Sequence, residues 1–355
     1  VSTEPDADGP PFFVALGGSL WLVLLVMRPF LFVLAVSTFW VWSFKATIAA
    51  EPAVPAPRFQ FQAQNVPEAL RWQQEARGRL IALMMGGSRP QSVPLEPAIL
   101  REIAVTDGGY RLEEITLQTL SDRRVRARIA LPYDVRSKVG AVLALNGHGG
   151  SGERVVRGEG PYWYGRVLAE MGYVVVAPDI GQHDLQHTNW SLMGERVWDA
   201  LCCVDYLTTR PEVDTNRIAV AGLSLGGETT MYVAALDERI RLACSSGWLT
   251  TVANMKREHC PCWNFPGLES DFDFADIFAL VAPRLLVCEL GKRERAPGGF
   301  PVEIGREAFS QLARAYAVFG AGANAVLSIH AGGHVFGGRD FWPLLDRELG
   351  AAYRR

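Results

Sequence analysis

The chain has 355 residues, 49% hydrophobic and 21% charged, with a formal net charge of −3. That is globular composition, enough for one large domain or two small ones. Acids and bases are interspersed with no basic stripe, which excludes a charge-built nucleic-acid surface, and the lack of a fixed-period repeat excludes a solenoid or propeller.

Residues 11–44 are almost wholly apolar, broken by Arg28 and small polar residues. A membrane-spanning helix needs about 20 apolar residues. From Met27 the stretch MRPFLFVLAVSTFWVWSFKATIAAEP has a basic start, an apolar core, then small residues and a proline. This is the pattern of a secretory signal peptide, cleaved after Ala49 or Ala50, with residues 1–26 as an upstream extension. A retained N-terminal membrane anchor is the second reading, and a core helix the third. The first two export the rest of the chain, to the periplasm or beyond, with membrane contact only through the anchor.

Residues 51–66, rich in Pro and Gln, read as an exposed linker, and 67–355 as a single catalytic domain. Periodicity predicts a helix over 67–85, with Leu70, Trp72, Ala76, Leu80 and Leu83 near one face and Gly86-Gly87 ending it. REIAV, RLEEITLQTL, RVRARIALP and GAVLALNGHGG then read as four strands joined by short turns. From there helices and strands alternate to the end of the chain. An antiparallel start followed by α/β units predicts one mixed sheet of about eight strands, mostly parallel, with helices on both faces.

The six cysteines are Cys202, Cys203, Cys244, Cys260, Cys262 and Cys288. Export permits disulfides; burial as free thiols is the alternative. HCPC at 259–262 has C-x-C spacing with no second ligand pair at finger-like distance, so no metal is expected.

GLSLGG at 222–227 joins the strand RIAVAGL to the helix GGETTMYVAAL. G-x-S-x-G in that setting is a nucleophile elbow, because the sharp turn needs small neighbours and lifts the Ser224 oxygen above the sheet. A serine nucleophile needs a base later in the chain. His334, in the Gly-rich loop AGGHVFGG, fits best; His330 lies inside a strand, and His259 reads as structural. The acid belongs on a loop past a strand, where it can orient the imidazole. Glu294, in the loop after RLLVCELG, is preferred, with Glu289 as the alternative acid and Asp271, Asp273 and Asp276 behind it. The oxyanion donors expected are the Leu225 N–H and that of Gly149 or Gly150 in the NGHGG turn. His148 reads as a loop brace.

From about residue 70 the chain resembles the α/β-hydrolase superfamily, in its dienelactone hydrolase/acetyl xylan esterase-like branch. The resemblance is carried by NGHGG, GYVVVAPD, WDALCCVDYLTTRPEVDTNRIAVAGLSLGGETT, ALVAPRLLVCELGKRE and AGGHVFG. It implies the α/β-hydrolase fold and a serine carboxylic-ester hydrolase that needs no cofactor and no metal. The substrate implied is a small-molecule or polysaccharide ester. The branch commonly has Asp where this chain has Glu294. A prolyl-oligopeptidase-type peptidase and a non-catalytic binding protein of the same fold are the alternatives; the oligomeric state is left open.

Overall fold

The computed structural model describes residues 55–350 apart from 134 and 136. The signal-peptide and anchor readings of residues 1–50 lie outside the described residues. Among those described, no helix is long and apolar enough to cross a membrane.

Helix α1 (Val66–Met84) leads into three antiparallel strands, β1 (Ala98–Val105), β2 (Tyr110–Leu120) and β3 (Arg123–Pro132). The α/β part follows: β4 (Val139–Leu145), α2 (Gly152–Arg157), α3 (Tyr164–Glu170), β5 (Val174–Pro178), α4 (Leu192–Thr209), β6 (Val213–Leu223) and α5 (Leu225–Leu236). The remainder is β7 (Ile240–Ser246), short helices α6 (Val252–Met255), α7 (Leu268–Asp271) and α8 (Phe274–Ala279), then β8 (Leu285–Gly291), α9 (Val302–Val318), β9 (Ala325–His330) and α10 (Phe341–Leu349).

Among the described residues, all nine strands form one sheet in the order β1-β2-β3-β5-β4-β6-β7-β8-β9. The single mixed sheet matches the expectation of about eight strands, but β4 does not follow β3 in space. Strand β5 lies between them, antiparallel to β3 and parallel to β4. From β5 to β9 every pairing is parallel. The central strands are buried on both faces, and their alternate residues enter two separate cores. Leu143, Leu145, Val176 and Val220 pack with α1, α4, α5, α8 and α9. Val142, Ala144, Val175 and Ala219 pack with α2, α3 and α10.

Two expectations need correction. The buried stripe of α1 is Ala69, Gln73, Ala76, Leu80 and Met84, while Leu70 is 54% exposed. The helix is rotated because its polar residues reach inward: Gln73 Nε2 donates to Ala282 O at 2.7 Å, and Arg77 donates to the carbonyls of Ala235 and Leu280. The segment read as an exposed linker is partly docked. Phe61 is buried, and its N–H donates to Asp276 Oδ1 at 2.9 Å. Arg58 and Phe59 donate to the carbonyls of Ser270 and Asp271. Burial pushes the Asp276 carboxyl up to about 6, against the opposing pull of the N–H groups of Asp273 and Phe61.

Strand β3 is tied to α4 by a buried ion network. Arg123 makes a two-point contact with Asp199, at 2.7 and 3.1 Å, and reaches Glu195 at 3.1 Å. Thr119 adds a hydrogen bond to Asp199 at 2.7 Å. Removing the guanidinium would strand two buried carboxylates, so Arg123→Ala is expected to cost about 3–5 kcal/mol. The measurement is the shift in urea midpoint; a loss under about 1 kcal/mol would show the network to be solvent-screened.

Candidate active site

The site lies at the carboxyl ends of the parallel strands, where ligands bind in open α/β sheets. Strand β6 ends at Leu223 and α5 begins at Leu225. Ser224 between them has φ 61° and ψ −122°, a conformation that L-residues rarely adopt. The turn is made possible by its neighbours. A Cβ on Gly222 would strike the Gly226 backbone, and one on Gly226 would strike the carbonyls of Leu145 and Asn146. The Ser224 N–H donates to Ser246 O at 2.9 Å, which pins the turn to the end of β7.

His334 lies past β9 in the Gly-rich loop, and its Nδ1 is 3.1 Å from Glu294 Oε2. Its ring stacks on Phe300 with centroids 5.4 Å apart. It also rests on Gly247: a Cβ there would lie 2.9 Å from His334 Cε1. Gly247 directly follows the residue whose carbonyl holds Ser224. Glu294 lies past the end of β8 and is 7% exposed; its Oε2 also accepts the Phe300 N–H at 3.1 Å. Ser224, Glu294 and His334 line one cavity of about 490 Å³.

The strand order, the elbow at β6 and residues from the ends of β8 and β9 set the comparison with known proteins. The glucuronoyl esterase from Solibacter usitatus matches with a TM-score of 0.65 at 16% identity, covering 86% of this chain and 100% of that one. A Bacteroides fragilis NCTC 9343 structure described as a "putative acetyl xylan esterase" matches with a TM-score of 0.64 at 21% identity, covering 78% and 79%. The prolyl oligopeptidase family model matches residues 162–259, the stretch that contains Ser224. The chain has the α/β-hydrolase fold. Of its relatives, the Bacillus subtilis (strain 168) protein named "Putative hydrolase YtaP" is 26% identical over 249 residues, 62% of this chain and 81% of that protein. Dipeptidyl-peptidase 5 of Porphyromonas gingivalis is 29% identical over 145 residues, but these are only 19% of its length.

The other residues singled out fall into place by their partners. Glu289, the alternative acid, is fully buried within β8. It accepts from Ser246 Oγ at 2.9 Å, from Gly338 N at 2.6 Å and from Gly337 N. It therefore braces the loop that carries His334 and lies 3.9 Å from His330, with no contact to His334 itself. His330 Nδ1 accepts the Gly332 N–H at 3.0 Å. Asp273 and Asp276 form a capping box at α8, and Asp271 pairs with Arg79. Gly150, an expected oxyanion donor, already gives its N–H to Gly147 O at 2.9 Å. That loop reaches the cavity through His148, next to Gly149. Leu225 also lines the cavity, and as the first residue of α5 its N–H has no intrahelical acceptor.

Sequence reasoning missed several residues of the cavity. His259, read as structural, lines it with an unpartnered Nε2, and burial lowers its pKa. Glu228 also lines the cavity, and burial holds its carboxyl well above the ordinary range, with Arg196 pulling the other way. Arg293 and Arg295 flank Glu294 at the cavity wall. The six cysteines are free thiols.

Proposed function

We propose that this chain is a serine carboxylic-ester hydrolase working through an acyl-enzyme. The observation that carries the reading is the His334–Glu294 contact in the cavity that Ser224 enters from its strained turn. Glu294 accepts the Nδ1–H of His334 and so leaves Nε2 to take the proton from the Ser224 hydroxyl. The Ser224 oxygen attacks the ester carbonyl. The N–H of Leu225, with that of Gly149 or its neighbour His148, stabilises the oxyanion. His334 returns its proton to the leaving alcohol, and water admitted on the same side is activated by His334 to release the acid.

The substrate class we infer is a carbohydrate ester. The fold-level neighbours named for acetyl xylan and glucuronoyl ester hydrolysis support this. The cavity also carries polar side chains at His259, Arg293 and Arg295 beside the aromatic Trp248, Trp263 and Phe300, as suits a sugar-borne ester. Export, by the signal sequence read at residues 27–50, would bring the enzyme to such substrates. N-terminal sequencing of the extracytoplasmic protein checks this.

The prolyl oligopeptidase match favours a second reading, cleavage of peptide bonds. A fluorophosphonate probe followed by an ester and amide panel on the full chain decides. We expect labelling of Ser224, turnover of acetylated and uronate methyl ester sugars, and no cleavage of proline-containing amides. Unlabelled Ser224 in folded protein would overturn the hydrolase mechanism. Labelling with amide turnover alone would select the peptidase.

A further inference from the structure

Three loops at the carboxyl end of the sheet bring four metal-ligating side chains together beside the cavity. His148 follows β4, His183 follows β5, and Cys260 and Cys262 follow α6. Their ligand atoms all lie within 4.8 Å of one another. His148 Nε2 and His183 Nε2 are 2.8 Å apart, and Cys260 Sγ is 3.7 Å from His183 Nε2. A tetrahedral zinc ion, with Zn–S of about 2.3 Å and Zn–N of about 2.05 Å, spaces its ligand atoms about 3.3–3.8 Å apart. The 2.8 and 3.7 Å separations lie close to that range, and His148, His183 and Cys260 are exposed while Cys262 is half-buried.

A second, independent observation points to negative charge at this cluster. Arg196 of α4 is fully buried, and its Nε and Nη1 have no hydrogen-bond acceptor. Its guanidinium lies beside Cys262. Buried guanidinium N–H groups are costly to leave unpaired. A metal-bound thiolate is an acceptor of matching charge, whereas a thiol is a poor one.

We propose that His148, His183, Cys260 and Cys262 bind one zinc ion. Two thiols and two imidazoles make a Cys₂His₂ set, which suits zinc. As the ion binds, the two thiol protons leave to solvent, so the two thiolates cancel its charge. Four protein ligands close the coordination sphere, so the site is structural and takes no part in acyl transfer. It staples the loops after β4, β5 and α6. Because His148, Cys260 and Cys262 also line the Ser224 cavity, the ion fixes one wall of the substrate site. The C-x-C spacing concealed the site, since the nearer histidine, His183, lies 77 residues from Cys260.

The test uses the full chain, purified under reducing conditions, dialysed against zinc sulfate and then against metal-free buffer. Mass spectrometry of the metal should give about one zinc per chain. Cobalt loading should give tetrahedral visible bands and a thiolate-to-cobalt charge-transfer band. In Cys260→Ser/Cys262→Ser and in His183→Ala, zinc affinity should fall at least about 100-fold. Their circular dichroism, matching that of the metal-free parent, would show that the chain is folded. Less than about 0.1 zinc per parent chain would overturn the proposal. So would an unchanged zinc ratio in the double serine variant, or a Cys260–Cys262 disulfide that persists under reduction.

Discussion

Ser224→Ala is expected to lower kcat/KM on any ester substrate by about ten-thousand- to million-fold, because no other group in the cavity replaces the nucleophile. Ser224→Gly should be equally inactive and yet more stable than the parent. At φ 61° and ψ −122° a side chain costs about 1–3 kcal/mol. Glycine escapes that cost but gives back about 0.5–1 kcal/mol in unfolded-chain entropy. The net gain should be about 1 kcal/mol, read as a higher urea midpoint. A glycine variant that loses stability would mean that the turn is not strained. An alanine variant that keeps more than a hundredth of the activity would remove Ser224 as nucleophile.

The second large effect separates two buried carboxylates. Glu294→Gln keeps an oxygen for His334 Nδ1 but removes the charge that stabilises the imidazolium, so kcat should fall about 100- to 10,000-fold. Glu294 Oε1 has no partner, so an amide nitrogen there breaks no existing hydrogen bond. The loss of stability should be about 1–2 kcal/mol. Glu289→Gln acts differently. Glu289 uses both oxygens to accept the N–H groups of Gly337 and Gly338. An amide nitrogen would face one of those donors, at a cost of about 2–4 kcal/mol. That variant should melt well below Glu294→Gln, and its activity should fall because the His334 loop is displaced. Thermal melts and kcat on one ester decide the matter. A Glu289 variant with normal melting and a collapsed kcat would make Glu289 the acid.

Much of this arrangement was legible from the sequence because its signals are local. The elbow needs glycines two residues either side of Ser224, and the strand before it and the helix after it have unmistakable periods. The placement of Glu294 and His334 after late strands follows from the same alternation. What could not be read is non-local. Strand β5 pairs between β3 and β4 because the parallel crossover returns it there, and no run of residues in β3 or β4 encodes that neighbour. Gly150 looks equivalent to Gly149 until the turn spends its N–H on Gly147. Hydrophobic spacing turns α1 toward Leu70, whereas Gln73 and Arg77 turn it inward to meet carbonyls of distant segments. His148 and His183 have no spacing relation to Cys260 and Cys262; only the fold makes them neighbours.

The docking of residues 58–61 onto the short helices α7 and α8 has a consequence for handling the protein. A protease that cuts between Gln62 and Val66 would release the strand of chain that covers Asp276 and stacks Phe59 on Phe272. The helices so uncovered belong to the segment between β7 and β8, which also supplies His259 and Trp263 to the cavity. Trimming at that point would therefore be felt at the substrate site, though the cut lies far from Ser224 in sequence.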